Sequence, residues 1–118
     1  MAVTAQGSGT QTATLTTEHT LLNVAVAGTF TLHVDLINMA AGDILELRIK
    51  QMVLTGGTAR VAYYMRYEGA QNADDMIAVS VPISNELTDA GALSFTLQQN
   101  RISGGTGRAY PWKVLKYS

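Results

Sequence analysis

The chain has 118 residues, enough for one domain whose core needs no covalent staples and too few for two independent cores. It contains no cysteine, which excludes disulfides, thiolate metal sites, iron–sulfur clusters and a cysteine nucleophile. Charged residues make up 14%, hydrophobic ones 47%, and the net charge is −1, a balance that argues against disorder and against a polyanion partner.

No apolar run approaches the ~18 residues of a membrane span, so no membrane partner is expected. Residues 1–17 carry no Lys or Arg and no apolar block, and so lack the basic head and greasy middle of an export signal. Synthesis and assembly in a cytoplasm are the expectation. Residues 1–12, rich in Gly, Ser, Thr and Gln, have the composition of a flexible arm, leaving residues 13–118 as a single β domain.

Short strands are expected near Gln11–Thr17 and Thr20–Val26. Period-two alternation is clearer further on. Phe30, Leu32, Val34 and Leu36 share one face, with Thr29, Thr31, His33 and Asp35 on the other. Leu45, Leu47 and Ile49 alternate with Glu46, Arg48 and Lys50; a less regular strand covers Thr58–Tyr67. The segment 68–76 reads as a loop, with at most a single helical turn after Asn72. Ile77, Val79, Val81 and Ile83 are expected on one buried face, as are Leu93, Phe95 and Leu97. A last strand covers Arg108–Tyr117. Ala27-Gly28, Gly42-Asp43, Gly56-Gly57, Gly91 and Gly104-Gly105 supply turns between them. The pattern predicts an all-β fold, an antiparallel β-sandwich or jelly roll of about eight strands.

Shifted by 48 residues, the chain matches itself, and the preceding strands Phe30–Leu36 and Ile77–Ile83 match at a shift of 47. Leu45, Leu47, Ile49 and Gln51 meet Leu93, Phe95, Leu97 and Gln99, and the run from Leu54 to Arg60 meets the run from Ile102 to Arg108, both with Gly-Gly-Thr-x-Arg. A duplicated hairpin explains this, and so does convergence of β turns on glycines that tolerate positive φ.

Groups able to do chemistry are few. His33 and Asp35 share a strand face, as a base and its orienting carboxylate would, but no nucleophile motif accompanies them. Asp74 and Asp75 offer hard oxygens for calcium, as loops of β-sandwich lectins do, although the spacing matches no EF-hand and a solvated acidic loop is the commoner outcome. The glycine-rich turns lack the helix a phosphate loop requires. No catalytic residue, metal ligand or cofactor is therefore assigned.

Aromatic and basic side chains gather after each Gly-Gly-Thr turn. Tyr63 and Tyr64 must face opposite sides of one strand. With Arg60, Arg108 and Trp112 they form the candidate interface, able to anchor a protein contact or to stack on sugar rings. Basic residues are too few for a nucleic-acid groove. The four acids of residues 1–47 and the four bases of residues 101–118 are placed to pair within one molecule or between copies.

A threonine-rich, cysteine-free β domain with a loose start resembles small virion structural proteins of tailed bacteriophages. Similar stretches are Asn38-Met39-Ala40-Ala41-Gly42-Asp43, leading into Ile44–Ile49, and the ending Gly107–Val114. The resemblance implies a capsid decoration or cement protein, without catalysis, localised in the virion. Its partners would be the major capsid protein and further copies of itself, as trimers or other homo-oligomers. A carbohydrate-binding, lectin-like or host-recognition β-sandwich is the alternative.

Overall fold

A computed structural model describes residues 2–101 and 106–118. Among the described residues, nine strands build the all-β sandwich that the alternation predicts: β1 (Val3–Thr12), β2 (Glu18–Val24), β3 (Gly28–Asp35), β4 (Asp43–Gln51), β5 (Arg60–Glu68), β6 (Ile77–Val79), β7 (Ile83–Asn85), β8 (Leu93–Arg101) and β9 (Ala109–Tyr117). Sheet A runs β1-β9-β3-β6, with β7 also paired to β3; sheet B runs β2-β8-β4-β5. All pairings are antiparallel. The Gly104-Gly105 turn lies outside the described residues.

Side-chain alternation fills the space between the sheets. Phe30, Leu32, Val34, Tyr110 and Val114 enter from sheet A; Leu45, Leu47, Ile49, Leu93, Phe95 and Leu97 enter from sheet B, all fully buried. Burying one such aliphatic side chain contributes about 1.5–3 kcal/mol, which makes these rows the main source of stability.

Three expectations are corrected. Residues 3–12 are not a loose arm but β1, paired along its length with β9, so the sandwich begins at Val3. Its small residues serve packing: a Cβ on Gly7 would sit 3.0 Å from both terminal methyls of Leu22, and Trp112 lies against Gly9. The strand expected over Gln11–Thr17 stops at Thr12, and the chain crosses to sheet B through a turn in which Thr16 takes φ 63°. There the Thr16 amide donates to the carbonyl of Gln99 at 2.8 Å.

The third correction concerns the run from Ile77 to Ile83. It breaks into β6 and β7, and Pro82, which has no amide for a ladder, lies between them. Ser80 fills in there: its hydroxyl accepts from the Leu32 amide at 2.8 Å and donates to the Val81 carbonyl at 2.9 Å. The break reverses the facing. Ala78 and Ser80 are buried, whereas Ile77, Val79 and Val81 are 54%, 51% and 43% exposed.

The self-match reappears as local symmetry. Arg48 lies opposite Thr96, its own counterpart at a shift of 48, as a twofold axis through the β4–β8 pair requires. Leu32 and Ser80, separated by the same interval, are joined by two hydrogen bonds in sheet A. The symmetry ends there, because β5 stays beside β4 while β9 leaves β8 and enters sheet A.

Where β9 begins, Gly107 packs so closely that a Cβ would overlap the Ala13 carbonyl, which itself belongs to rigid backbone. Gly107→Ala should therefore cost about 1–3 kcal/mol in urea unfolding, the usual penalty of overpacking. Gly9→Ala is the control, expected within about 0.5 kcal/mol of wild type because its Cβ would meet nothing nearer than 3.5 Å.

Candidate interaction surfaces

The structure disperses the five side chains of the expected interface. Tyr63 lies opposite Ile49 on the inner face of β5, half-buried against the core. Tyr64 lies on the outer face, opposite Arg48. Arg60 begins β5, exposed and opposite Gln51. Trp112 is half-buried against the core in sheet A. Arg108 is committed to an internal ion pair, at the end of the sandwich where β9 begins.

That ion pair belongs to a buried polar knot. Asp43 is completely buried; its Oδ2 accepts from Arg108 Nε at 3.1 Å and from the Ala40 amide at 2.9 Å, and its Oδ1 lies 3.5 Å from Arg101 Nε. Gln99, equally buried, accepts through Oε1 from the Arg108 amide at 2.7 Å and the Tyr110 hydroxyl at 3.0 Å. Burial pushes the Tyr110 phenol far above its ordinary value, and the Asp43 charge pushes it further in the same direction. One acid of the early chain thus meets two bases of the late chain inside a single molecule.

The outer face of sheet B is charged and satisfied within itself. Glu46 accepts from the Tyr64 hydroxyl at 2.5 Å, Arg48 at 3.2 Å and the Asn100 amide at 2.6 Å. The Arg48 guanidinium also lies 5.1 Å from the centre of the Tyr64 ring. Glu18 pairs with Lys50 at 3.1 Å and accepts from Thr96 at 2.7 Å. Burial raises the Glu18 carboxyl, but the Thr96 hydroxyl and the Lys50 charge outweigh it and hold it below the ordinary range. Arg66 and Glu68 close the row at 3.0 Å.

Sheet A presents a different outer face. Ile77 and Val79 stand opposite Asp35 and His33, with Val81 just beyond. On the other side of β3, Lys113 and Leu115 stand opposite His33 and Thr31. A shallow depression of about 350 Å³ lies here, lined in part by His33, Asp35, Ile77, Pro111 and Lys113. His33 and Asp35 share the face, as alternation requires, but each has another partner. His33 Nε2 lies 2.9 Å from the Thr31 hydroxyl, and Asp35 accepts from the Ile37 amide at 3.0 Å. Burial lowers the His33 imidazole, and Lys113 lowers it further.

Asp74 and Asp75 sit exposed in a 3-10 turn, Ala73–Asp75. Among the described residues, no group of three or more His, Asp or Glu side chains is placed to hold a metal ion. No family model, curated protein or solved structure matches the chain.

Sequence reasoning missed the apolar row Ile77, Val79 and Val81 as a surface, because strict alternation made it core. The signals that identify it are Pro82 and the small interleaved residues Ala78 and Ser80. Asp43 is legible only as one of four early acids able to pair with the late bases; that it is the buried one is not.

Two measurements test these assignments. Asp43→Ala removes the buried partner of two part-exposed arginines, which can rehydrate, and should cost about 1.5–3 kcal/mol in chemical unfolding, the range for lost hydrogen bonds to a charged group. Asp89 ties the β4–β5 loop to the β7–β8 loop, accepting from the Thr55 hydroxyl at 2.6 Å and the Gly56 amide at 2.8 Å. These two bonds hold its carboxyl below the ordinary value of 3.8. A depressed folded-state value means the tie stabilises fully above pH 3.8 and is lost as pH falls through the lower folded value. A carboxyl titration by NMR should show Asp89 protonating below 3.8 in wild type and nearer to it in Thr55→Val.

Proposed function

We propose that this chain is a non-enzymatic virion structural protein, a decoration or cement protein that stabilises a bacteriophage capsid. It would bind the major capsid protein and further copies of itself through surface contacts. The observation that carries this reading is the contrast between the two outer faces. Sheet B spends its charges on one another, whereas sheet A leaves Ile77, Val79 and Val81 about half exposed in a row beside a shallow depression. Exposed apolar rows rimmed by polar groups are characteristic of protein–protein contacts. A stiff sandwich whose loops are cross-tied through Asp89 and Asn85 also suits a part that must hold shape under load. The sequence resemblance to phage virion proteins supplies the setting.

The carbohydrate-binding reading is less well supported. Of its stacking platforms Tyr63, Tyr64 and Trp112, Tyr63 and Trp112 are half-buried against the core, and the guanidinium of Arg48 already lies over the Tyr64 ring. The carboxylate and amide groups around it are engaged with each other rather than aimed outward.

Purified protein should sediment with heads of the phage that encodes it and raise their melting temperature. Val79→Asp should weaken that binding by about tenfold or more, as loss of a central apolar contact does. Its own melting temperature should stay within about 3 °C of wild type, since the side chain faces out. Failure to bind heads, together with a melting shift produced by glycans, would overturn the proposal in favour of the alternative.

A further inference from the structure

We propose that the outer edge of β1 pairs antiparallel with the same edge of a second copy, joining two A sheets into one continuous sheet. This names the self-contact invoked above and rests on that reading for its biological setting. The geometry comes from which backbone groups β9 uses. Ala2 and Ser118 exchange both of their hydrogen bonds, each at 3.1 Å, and the Ala13 amide donates to Arg108 at 2.9 Å. Bonding alternates along an antiparallel pair. Thr4, Gly7, Gly9 and Gln11 therefore turn their amides and carbonyls toward β9, opposite Lys116, Val114, Trp112 and Tyr110. The register shift between Ala5 and Gly7 absorbs Gln6 as a bulge and keeps this phase. Val3, Ala5, Ser8, Thr10 and Thr12 consequently present theirs on the open side, where no described strand lies and where the Thr12 carbonyl also accepts from the Gln11 side-chain amide at 3.0 Å.

The other edges are guarded in the ways that prevent pairing. β5 carries Arg60, Arg66 and Glu68 and a bulge at Ala62. β2 has a bulge at Leu21 and the charge of Glu18. β6 and β7 are three residues each, with Pro82 between them. β1 is ten residues long, without charge or proline, and regular from Gly7 to Thr12.

A second copy of β1 fits this edge because the run is complementary to itself. A twofold through Thr10 places Thr10 opposite Thr10 and Ser8 opposite Thr12 of the second copy. Those three pairs exchange about six backbone hydrogen bonds and bring hydroxyls together on the outer face. No like charges meet, since β1 has none.

Light scattering of the full chain should show a dimer. Thr10→Lys sets two ammonium groups against each other, and Thr10→Pro removes an amide that only a docked strand would use. Both should raise the dimer dissociation constant by about tenfold or more, and Thr10→Lys should leave the thermal unfolding of the monomer intact. Amide exchange gives a readout independent of folding in the proline variant. Ser8, Thr10 and Thr12 should exchange slowly in wild type and quickly in Thr10→Lys, with Gly7, Gly9 and Gln11 slow in both. A wild-type monomer, or an oligomer that Thr10→Lys leaves unchanged with Thr10 exchanging fast, would overturn the pairing. None of these measurements involves phage heads. A wild-type dimer that ignores heads would overturn the capsid reading and spare the pairing.

Discussion

Asp43 fixes the end of the sandwich at which the chain changes sheets. β8 ends in sheet B at Arg101, β9 begins in sheet A at Ala109, and both flanking arginines converge on this one buried carboxylate. A carboxylate removed from water is costly unless its charge is matched, and here both arginines supply the charge while Oδ2 alone accepts hydrogen bonds and Oδ1 accepts none, so the matching groups must stay where they are. Gln99 extends the constraint inward by holding the Arg108 amide and the Tyr110 hydroxyl. With β9 located by these bonds, β1 gains a neighbour on one side and β3 on the other. Sheet A is assembled around that placement.

The two outer faces solve the problem of being half of a sandwich in different ways. On sheet B, alternation places Glu46, Arg48 and Lys50 outside; Glu46 and Arg48 pair with each other along β4, Lys50 pairs with Glu18 on β2, and uncharged donors on β5 and β8 bond to the carboxylates. Individually such pairs are weak, but together they leave that face without unmet polar demand. On sheet A the outside is built from Thr, Ser and aliphatic side chains around His33, Asp35 and Lys113.

The internal repeat links these observations. A local twofold runs through Arg48 and Thr96 and through Leu32 and Ser80. A fully symmetric molecule would put β9 beside β8 as β5 lies beside β4. Instead β2 occupies the place beside β8, and β9 serves the other sheet. Departure from symmetry therefore creates the long β1–β9 pair and the uncharged edge that it exposes.

The sequence by itself determined the fold class, the buried rows of β3, β4 and β8, and the turns at Gly42, Gly56 and Gly91, all of positive φ. Period-two burial is a local property, and residues two apart report it wherever one face is apolar and the other wet. It also separated Tyr63 from Tyr64 onto opposite faces. Only the tertiary structure decided that residues 3–12 form a strand, because Thr, Ser and Gly fit a sheet as readily as a frayed end until a partner such as β9 supplies the bonds. It alone turned Ile77, Val79 and Val81 outward, since the break at Ser80–Pro82 reverses which side of the strand meets the core. The same holds for Arg108, whose partner Asp43 lies 65 residues earlier in the chain. A pairing at that distance leaves no periodic trace, so charge balance suggests a partner for Arg108 among the early acids but cannot say which one until the two sheets are placed.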